Sequence, residues 1–161
     1  MADVGVEAFK HNLWANLELL DACAKLSDDH LAAAAPGTYG AVQDTLVHML
    51  ASEGRYVGEF KGRTEDMLSE EAPFVGFEAL RLHAVASGQA LLELVHTSPP
   101  DRILRGTYRG QPYEMAASIL LVQAINHATE HRMHIVSILN QRGVETPRLD
   151  GLRYFQVGAS A

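Results

Sequence analysis

Histidines are concentrated toward the C-terminal end of the sequence, where the segment NHATEHRMHI occupies residues 126–135. This segment contains His127, His131 and His134, three of the chain's eight histidines. An α-helix turns by about 100° per residue, so His131 lies roughly 40° to one side of His127 and His134 roughly 20° to the other. Two histidines one helical turn apart can present ring nitrogens to the same cation, which makes this segment a candidate metal site.

The helical stripe that carries these histidines is otherwise apolar, with Ala116, Leu120, Ala124 and Ile138 at the same spacing. Such stripes face the interior of helical proteins, so we expect the histidines to point inward. Leaving a buried imidazole without a partner costs about 1–3 kcal/mol. The imidazoles therefore need either neighbouring side chains or a metal ion, and the spacing alone leaves both interpretations open.

A transition-metal site needs at least a third ligand, and the sequence supplies several candidates. Aspartate and glutamate oxygens are possible donors, and the further histidines considered are His11, His48, His83 and His96. Periodicity does not select among them. His48 is predicted to lie at the boundary between the apolar and polar sides of its helix. It shares a side with polar residues, namely Asp44, Ser52, Arg55 and Glu59.

The elements that position these residues follow from apolar residues at three- and four-residue spacing. Short β-branched and aromatic stretches in ILRGTYRGQPYEM predict a small hairpin or an irregular loop before the last helix. The predicted fold class is all-α, an antiparallel four-helix bundle. Its four helices are predicted over residues Val4 to Leu26, Ala41 to Phe60, Gly76 to His96 and Glu114 to Gln141.

An end or a face is predicted in more detail for three of the helices. Gly40 is the predicted N-cap of the second helix, although it offers no side-chain oxygen. Gly143, with Pro147 beyond it, is the predicted end signal of the fourth helix. The apolar stripe of the first helix is predicted to consist of Val6, Phe9, Leu13, Leu17 and Leu20.

Composition limits the classes of protein to consider. A chain of 161 residues has the size of one ordinary domain, so residues 1–161 are predicted to form a single domain. A net charge of −7 without a run of lysine or arginine argues against nucleic acid or anionic membrane as a direct partner. No stretch has the roughly 20 apolar residues of a membrane span and no secretory signal is visible, so we expect a cytoplasmic protein. Cys23, the one cysteine, is interpreted as a small buried thiol.

The segment DTLVHML is followed about eighty residues later by INHATEHRMHIVSILNQRGVETPRLDG, and the chain opens with FKHNLWANLELLDACAKLSDDHL. With these three segments the sequence resembles the DinB superfamily, the YfiT-like metal-binding four-helix bundles, over nearly its whole length. The resemblance implies a metal triad at His48, His127 and His131. It also implies nickel or zinc as the typical metal, with iron or manganese as alternatives. His134 falls where many relatives have glutamine, so it is left outside the ligand set.

Three protein ligands would leave at least one position of the cation open, as in catalytic rather than structural sites. Water activated there could act as a nucleophile, or a low-molecular-weight thiol could occupy the position. The resemblance implies both, since characterised relatives include thiol-dependent S-transferases and isomerases. The expected activity is that of a metal-dependent hydrolase or thiol-dependent transferase on a small molecule. Glu130 and Gln123 could reach the rim of the site, and Trp14 and Tyr56 could line it, although solvated and core positions are their commoner roles.

Two alternative functions follow from the same residues. His127-Ala-Thr-Glu-His131 matches the H-x-x-E-H signature of inverted zinc peptidases, in which the glutamate, here Glu130, is the general base. That class needs a further carboxylate ligand and a sheet that holds an extended peptide, and no strand system for it is predicted. The second alternative is a sensor or interaction module that binds metal or a small ligand without turnover. A deep, solvent-connected pocket beside the metal would favour an enzyme over this module.

The side of the fourth helix opposite His127 is also apolar, with Leu121, Val122, Ile125, Met133, Val136 and Leu139. An exposed apolar strip of this kind needs a cover. The hairpin segment 102–113 and the C-terminal tail are candidates for part of it. For the remainder we predict a homodimer, because a self-complementary helix face commonly buries such a strip.

Overall fold

The computed structural model describes residues 3–62, 68–99, 101–108 and 110–158. None of the helices in these ranges is both long and apolar enough to cross a bilayer. The elements, in chain order, are α1 (Val4–Cys23), α2 (Asp28–Leu31), α3 (Val42–Lys61), α4 (Phe77–Thr97), β1 (Ile103–Tyr108), β2 (Gln111–Ala116), α5 (Ala117–Gln141) and α6 (Gly151–Gly158).

The four long helices α1, α3, α4 and α5 form the bundle. Helix α1 packs against α4 and α5, and α3 packs against the same two helices from the other side. The interior is divided into two apolar clusters. One contains Leu46, Leu50 and Ile135, and the other contains Phe9, Phe60 and Leu120. The predicted all-α bundle, with a small hairpin before its last long helix, is confirmed.

The helix ends show where local sequence signals act. Asp3 caps α1 by accepting a hydrogen bond from the Gly5 N–H at 2.8 Å, which satisfies one of the free donors of the first turn. The N-cap of α3 is Ala41, one residue after the predicted Gly40, and it makes no side-chain bond. Gly143 follows α5 with φ of 74°, a left-handed conformation that glycine adopts without strain, so the predicted end signal of the fourth helix is confirmed.

The hairpin shortens the fourth predicted helix. Strands β1 and β2 pair antiparallel from Ile103 opposite Ala116 to Tyr108 opposite Gln111. The predicted helix start at Glu114 is therefore wrong, because Glu114 pairs with Arg105 in the hairpin and α5 begins at Ala117. Pairing between the strands overrides the helical propensity of these residues. Ala116 consequently belongs to β2 rather than to the histidine stripe.

The first and last helices also differ from the prediction. Helix α1 ends at Cys23, three residues before the predicted Leu26, whose N–H bonds to the Cys23 carbonyl in a tighter turn. Residues 151–158, expected to be a tail, form the helix α6. Asp150 caps it by accepting hydrogen bonds from the N–H groups of Leu152 and Arg153 at 3.1 and 3.0 Å.

Candidate metal centre

His48, His127 and His131 lie together in the folded chain. His48 is on α3, the other two are on α5, and these helices pack side by side. One ring nitrogen of each histidine lies within 4.8 Å of the others. Among the described residues, this is the one group of three or more histidine, cysteine or acidic side chains placed to hold an ion. The structure thus brings together the three residues that the family resemblance implied.

The distances between the ring nitrogens fit a shared cation. The Nε2 atom of His127 lies 3.2 Å from Nε2 of His48 and 3.2 Å from Nε2 of His131. Two nitrogens that each lie about 2.1 Å from one ion, at tetrahedral or octahedral angles, are about 3.0–3.4 Å apart. The pairs measured here fall within this range.

The outer nitrogens of the three rings support the same conclusion. The Nδ1 atoms of His48, His127 and His131 are buried, and none has a hydrogen-bond partner among the residues that the structure describes. Buried polar atoms are nearly always paired, so three unpartnered nitrogens in one cluster mark an unusual site. The Nε2 atoms contact one another and the Nδ1 atoms have no partner among the described residues, so the cluster keeps bonding capacity that contacts within the protein do not use.

The histidines are neutral at physiological pH. Burial, together with the neighbouring histidines, lowers the pKa of both His127 and His131 to about 4. Burial also lowers the pKa of His48, although the nearby Glu70 carboxylate opposes the shift. Neutral imidazoles offer the lone pair that a metal requires, so no proton has to be displaced from these rings near pH 7.

His48 was predicted to lie between the apolar and polar sides of its helix, and the residues packed around its ring explain this position. Its ring stacks on Tyr39 with centroids 4.0 Å apart and planes inclined by 17°. The neighbouring polar residues Ser52 and Arg55 donate hydrogen bonds to Glu70, which follows α3 in the chain. The part of this polar side around His48, Ser52 and Arg55 therefore faces the histidines of α5 and a covering segment, whereas Asp44 is exposed to water.

The other candidate histidines lie elsewhere. His11 and His83 bond through Nε2 to the carbonyl groups of Leu149 and Leu50, at 2.7 and 2.9 Å. His96 is exposed in the last turn of α4. None of these three belongs to the cluster.

His134 lies beside the cluster without being part of it. Its ring centroid is 5.3 Å from that of His131, and its buried Nδ1 has no hydrogen-bond partner among the described residues. It is half-buried on α5, one turn beyond His131.

The remaining predicted site residues divide into two groups. Tyr56 is beside the cluster, with its ring edge-on to His127 at 5.9 Å, and the exposed Gln123 reaches its hydroxyl at 3.5 Å. Trp14 instead packs against His11 and Tyr154, away from the three histidines. Glu130 is exposed and is not a member of the cluster.

Cys23 and a cavity beside α5 both lie apart from the clustered histidines. Cys23 is fully buried, so its interpretation as a small buried thiol is confirmed, and burial raises the pKa of the thiol to about 12. A cavity of about 490 Å³ lies between α5 and residues 146–150, lined in part by His11, Arg132 and Met133. None of the three clustered histidines lines this cavity.

Tyr39 and Glu70 are site residues that sequence periodicity did not identify. Tyr39 stacks on His48 and meets His131 edge-on at 5.3 Å. Glu70 places a carboxylate oxygen 3.7 Å from Nδ1 of His48. Both lie in loops, where helical spacing carries no information.

A second polar cluster, the Glu53–Arg132 network, lies inside the same bundle and was also missed. Glu53 of α3 accepts hydrogen bonds from Asn12 and Asn16 of α1, at 2.7 and 2.9 Å, and from Ser87 of α4. Arg132 of α5 donates to the side-chain oxygens of the same two asparagines, at 2.7 and 2.6 Å. The asparagine amides thus bridge a buried acid and a buried base.

The comparisons with known proteins agree with the fold and identify a family. The family model described as DinB family matches residues 1–158, and the chain belongs to that family. None of the curated proteins matches the chain.

Two solved structures share the fold. A DinB-like protein from Bacillus cereus superposes with a TM-score of 0.68 at 18% identity, covering 89% of this chain and 94% of that one. A DinB-like protein from Bacillus subtilis gives a TM-score of 0.59 at 16% identity, covering 89% of this chain and 97% of that one. At these identities the likeness concerns the fold alone.

Proposed function

We propose that this protein binds one divalent metal ion through His48, His127 and His131. The observation that carries the proposal is the pair of 3.2 Å separations between Nε2 atoms of three neutral histidines. Imidazole ligands suit zinc, copper, iron and nickel. Following the family resemblance, we propose nickel or zinc first and iron or manganese next.

The metal site is proposed to be catalytic. Three protein ligands are the number found in catalytic zinc sites, whereas structural sites are closed by four. A divalent cation there supplies Lewis-acid chemistry, which lowers the pKa of a bound water or thiol. We therefore propose a hydrolase or a thiol-dependent transferase that acts on a small molecule.

The protein's own contribution is to orient and surround that small molecule. Burial raises the pKa of both Tyr39 and Tyr56, so their hydroxyl groups stay protonated and can donate hydrogen bonds. Tyr39 contacts the histidine rings directly, and Tyr56 lies edge-on to His127. Arg55 lies over the Tyr56 ring at 4.7 Å and adds positive charge nearby.

The test is metal analysis of protein prepared without an affinity tag, followed by titration of metal-free protein with nickel, zinc and manganese. We expect one ion per chain in the wild type and none in His48→Ala or His127→Ala. His96→Ala is the matched control, because His96 is exposed and outside the cluster. A wild type that contains no metal and takes none up would overturn both the metal site and the catalytic proposal.

A non-catalytic metal or ligand-binding module is the second candidate. The observation that favours it is Tyr39, whose ring covers one side of the cluster by stacking on His48. A screen of low-molecular-weight thiols with electrophilic and hydrolysable substrates separates the two candidates. Turnover by the wild type that is lost in His127→Ala supports the enzyme, and metal binding without any turnover supports the module.

The peptidase alternative receives no support from the site. Glu130, its required base, is exposed and outside the cluster, and the described residues contain a single sheet, the two-stranded hairpin.

We further propose that the protein is a cytoplasmic homodimer. The predicted outer strip is narrower than expected, because Leu139 is buried in the core and Val136 packs partly against it. Ile119, Val122 and Met133 remain more than half exposed on α5. Sedimentation of the wild type, Val122→Glu and Val136→Glu tests the proposal. We expect a dimeric wild type and a monomeric Val122→Glu, and a monomeric wild type at micromolar concentration would overturn it.

A further inference from the structure

The carboxylate of Glu70 lies next to the outer nitrogen of His48. One oxygen, Oε1, accepts hydrogen bonds from Ser52 Oγ at 2.8 Å and from Arg55 Nε at 2.7 Å. The other oxygen, Oε2, lies 3.7 Å from Nδ1 of His48. Two donors on α3 therefore fix the carboxylate so that its second oxygen faces the histidine ring.

Both groups are in the chemical state that a hydrogen bond between them requires. Oε1 of Glu70 accepts from the Arg55 guanidinium, a cation, and from the Ser52 hydroxyl, which are the partners of an ionised carboxylate. Glu70 is thus a carboxylate that can only accept. Nδ1 of His48 is buried and has no hydrogen-bond partner at present, since 3.7 Å exceeds a normal N–H···O length.

The neighbouring histidines have no such group. No carboxylate of the described residues lies within ion-pair distance of His127 or His131. Those two ligands are also held in a fixed relation by one helix, whereas His48 comes from α3 alone. The ligand that depends most on its own side-chain orientation is the one that has a carboxylate behind it.

We propose that Glu70 is a positioning residue for the metal site, one that accepts a hydrogen bond from Nδ1–H of His48 when Nε2 binds the ion. The inference rests on the proposed metal function. Its physical effect is twofold: the bond places the ring proton on Nδ1, which leaves the Nε2 lone pair free, and it raises the basicity of the ligand. Closing the distance to hydrogen-bond length needs only a small movement of either side chain.

Glu70→Gln tests this with little change in shape. The donors Ser52 and Arg55 would hold the amide oxygen, so the amide NH₂ would face His48. A donor at that position favours the ring form with its proton on Nε2, the atom that has to bind the ion. We expect the affinity of the metal-free protein for zinc and nickel, measured by calorimetric titration, to fall by about 10–100-fold.

Glu71→Gln is the matched control, because Glu71 is the next residue, is exposed and bonds to Ser69 rather than to the site. It should bind zinc within about twofold of the wild type. A metal-binding wild type whose affinity is unchanged in Glu70→Gln would overturn the Glu70 inference alone. A wild type that binds no zinc or nickel would overturn the proposed function and this inference together.

A second measurement separates orientation of the ligand from a structural role of the loop. Nitrogen-15 NMR of the zinc-loaded wild type should show His48 with its proton on Nδ1, in a hydrogen bond. This signal should be lost or shifted in Glu70→Gln and kept in Glu71→Gln, at equal thermal stability of the metal-free forms. It also needs no variant to be informative, because a zinc-loaded wild type without a hydrogen-bonded His48 Nδ1–H would overturn the inference.

Discussion

Two polar clusters lie inside the same bundle and differ in how completely their hydrogen bonds are satisfied. In the Glu53–Arg132 network, Glu53 accepts three hydrogen bonds and Arg132 donates to Asn12, Asn16 and Thr129. In the histidine cluster, three buried Nδ1 atoms lack partners among the described residues. Both clusters contain buried polar atoms, so burial does not distinguish the proposed binding site from the structural network. The distinction is the bonding capacity that the fold leaves unused.

The charges of the two clusters differ in the same way. Burial raises the pKa of Glu53 and lowers that of Arg132 to about 10, so the arginine remains a cation at neutral pH and needs the acid nearby. The histidines are neutral and need no counter-ion until a cation arrives. The first cluster is electrostatically closed, and the second can accept positive charge.

The largest expected effect on stability comes from a substitution in the Glu53–Arg132 network. Arg132→Met removes the positive charge near Glu53 and the hydrogen-bond donor of two asparagine oxygens, so we expect the free energy of unfolding to fall by about 3–5 kcal/mol. Urea denaturation measures it. Arg81→Met is the control, since Arg81 makes an exposed ion pair with Asp21 and should cost less than about 1 kcal/mol. Equal losses in the two variants would contradict the comparison.

The histidine cluster, in contrast, should stabilise the fold when it binds metal. At a free metal concentration of 100 times the Kd, binding to the folded state adds about 2.7 kcal/mol to the free energy of unfolding. We expect this gain in the wild type and none in His131→Ala, measured by urea denaturation with and without zinc. A gain that survives in His131→Ala would place the ion elsewhere.

The pH dependence of stability should separate the clusters further. Because the folded pKa of Glu53 is raised above its ordinary value of 4.5, the stability it contributes is present below that value and is lost as pH rises through the folded pKa. Arg132→Met removes the positive charge that opposes this shift, so its cost should grow as pH rises through the folded pKa of Glu53, by at most about 1.4 kcal/mol per pH unit.

The double variant Glu53→Gln/Arg132→Met provides the control for this titration. It lacks the titrating carboxyl group, so the growth in cost with rising pH should disappear. Denaturation curves at several pH values decide, and a cost of Arg132→Met that shrinks as pH rises would show that the assigned direction is wrong.

The smallest effect is expected at His134. Its ring is near His131 but outside the group of three nitrogens. His134→Gln should therefore change zinc affinity by less than about threefold, since it removes no ligand and keeps a polar side chain. Calorimetric titration against the wild type measures it, and a loss as large as that of His127→Ala would make His134 a ligand.

Helical periodicity predicted most of the bundle, because long apolar stripes leave little choice of structure. It failed where pairing between distant residues decides. Glu114 lies in strand β2 because it pairs with Arg105 of β1. In α1 the buried face includes Asn12 and Asn16 while Leu13 and Leu17 are only partly buried, since the two asparagines are bonded to Arg132 on another helix.

The histidine cluster was predictable to different degrees. The spacing of His127 and His131 was sufficient to place them on one face of one helix. His48 looked like a boundary residue by periodicity, and only the family resemblance selected it. Tyr39 and Glu70 could not be predicted, because their positions depend on how loops fold back over α3.

The division of the three ligands between two helices has a geometric consequence. His127 and His131 are one turn apart on α5, so the helix itself fixes their relative position, and two of the three corners of the site cannot move independently. If the three histidines bind an ion, as proposed, the shape of its coordination sphere has one main adjustable variable, the placement of α3 relative to α5. A movement that slides or tilts α3 would change the coordination geometry of the ion. Conversely, an ion that prefers a different geometry would favour a different position of α3.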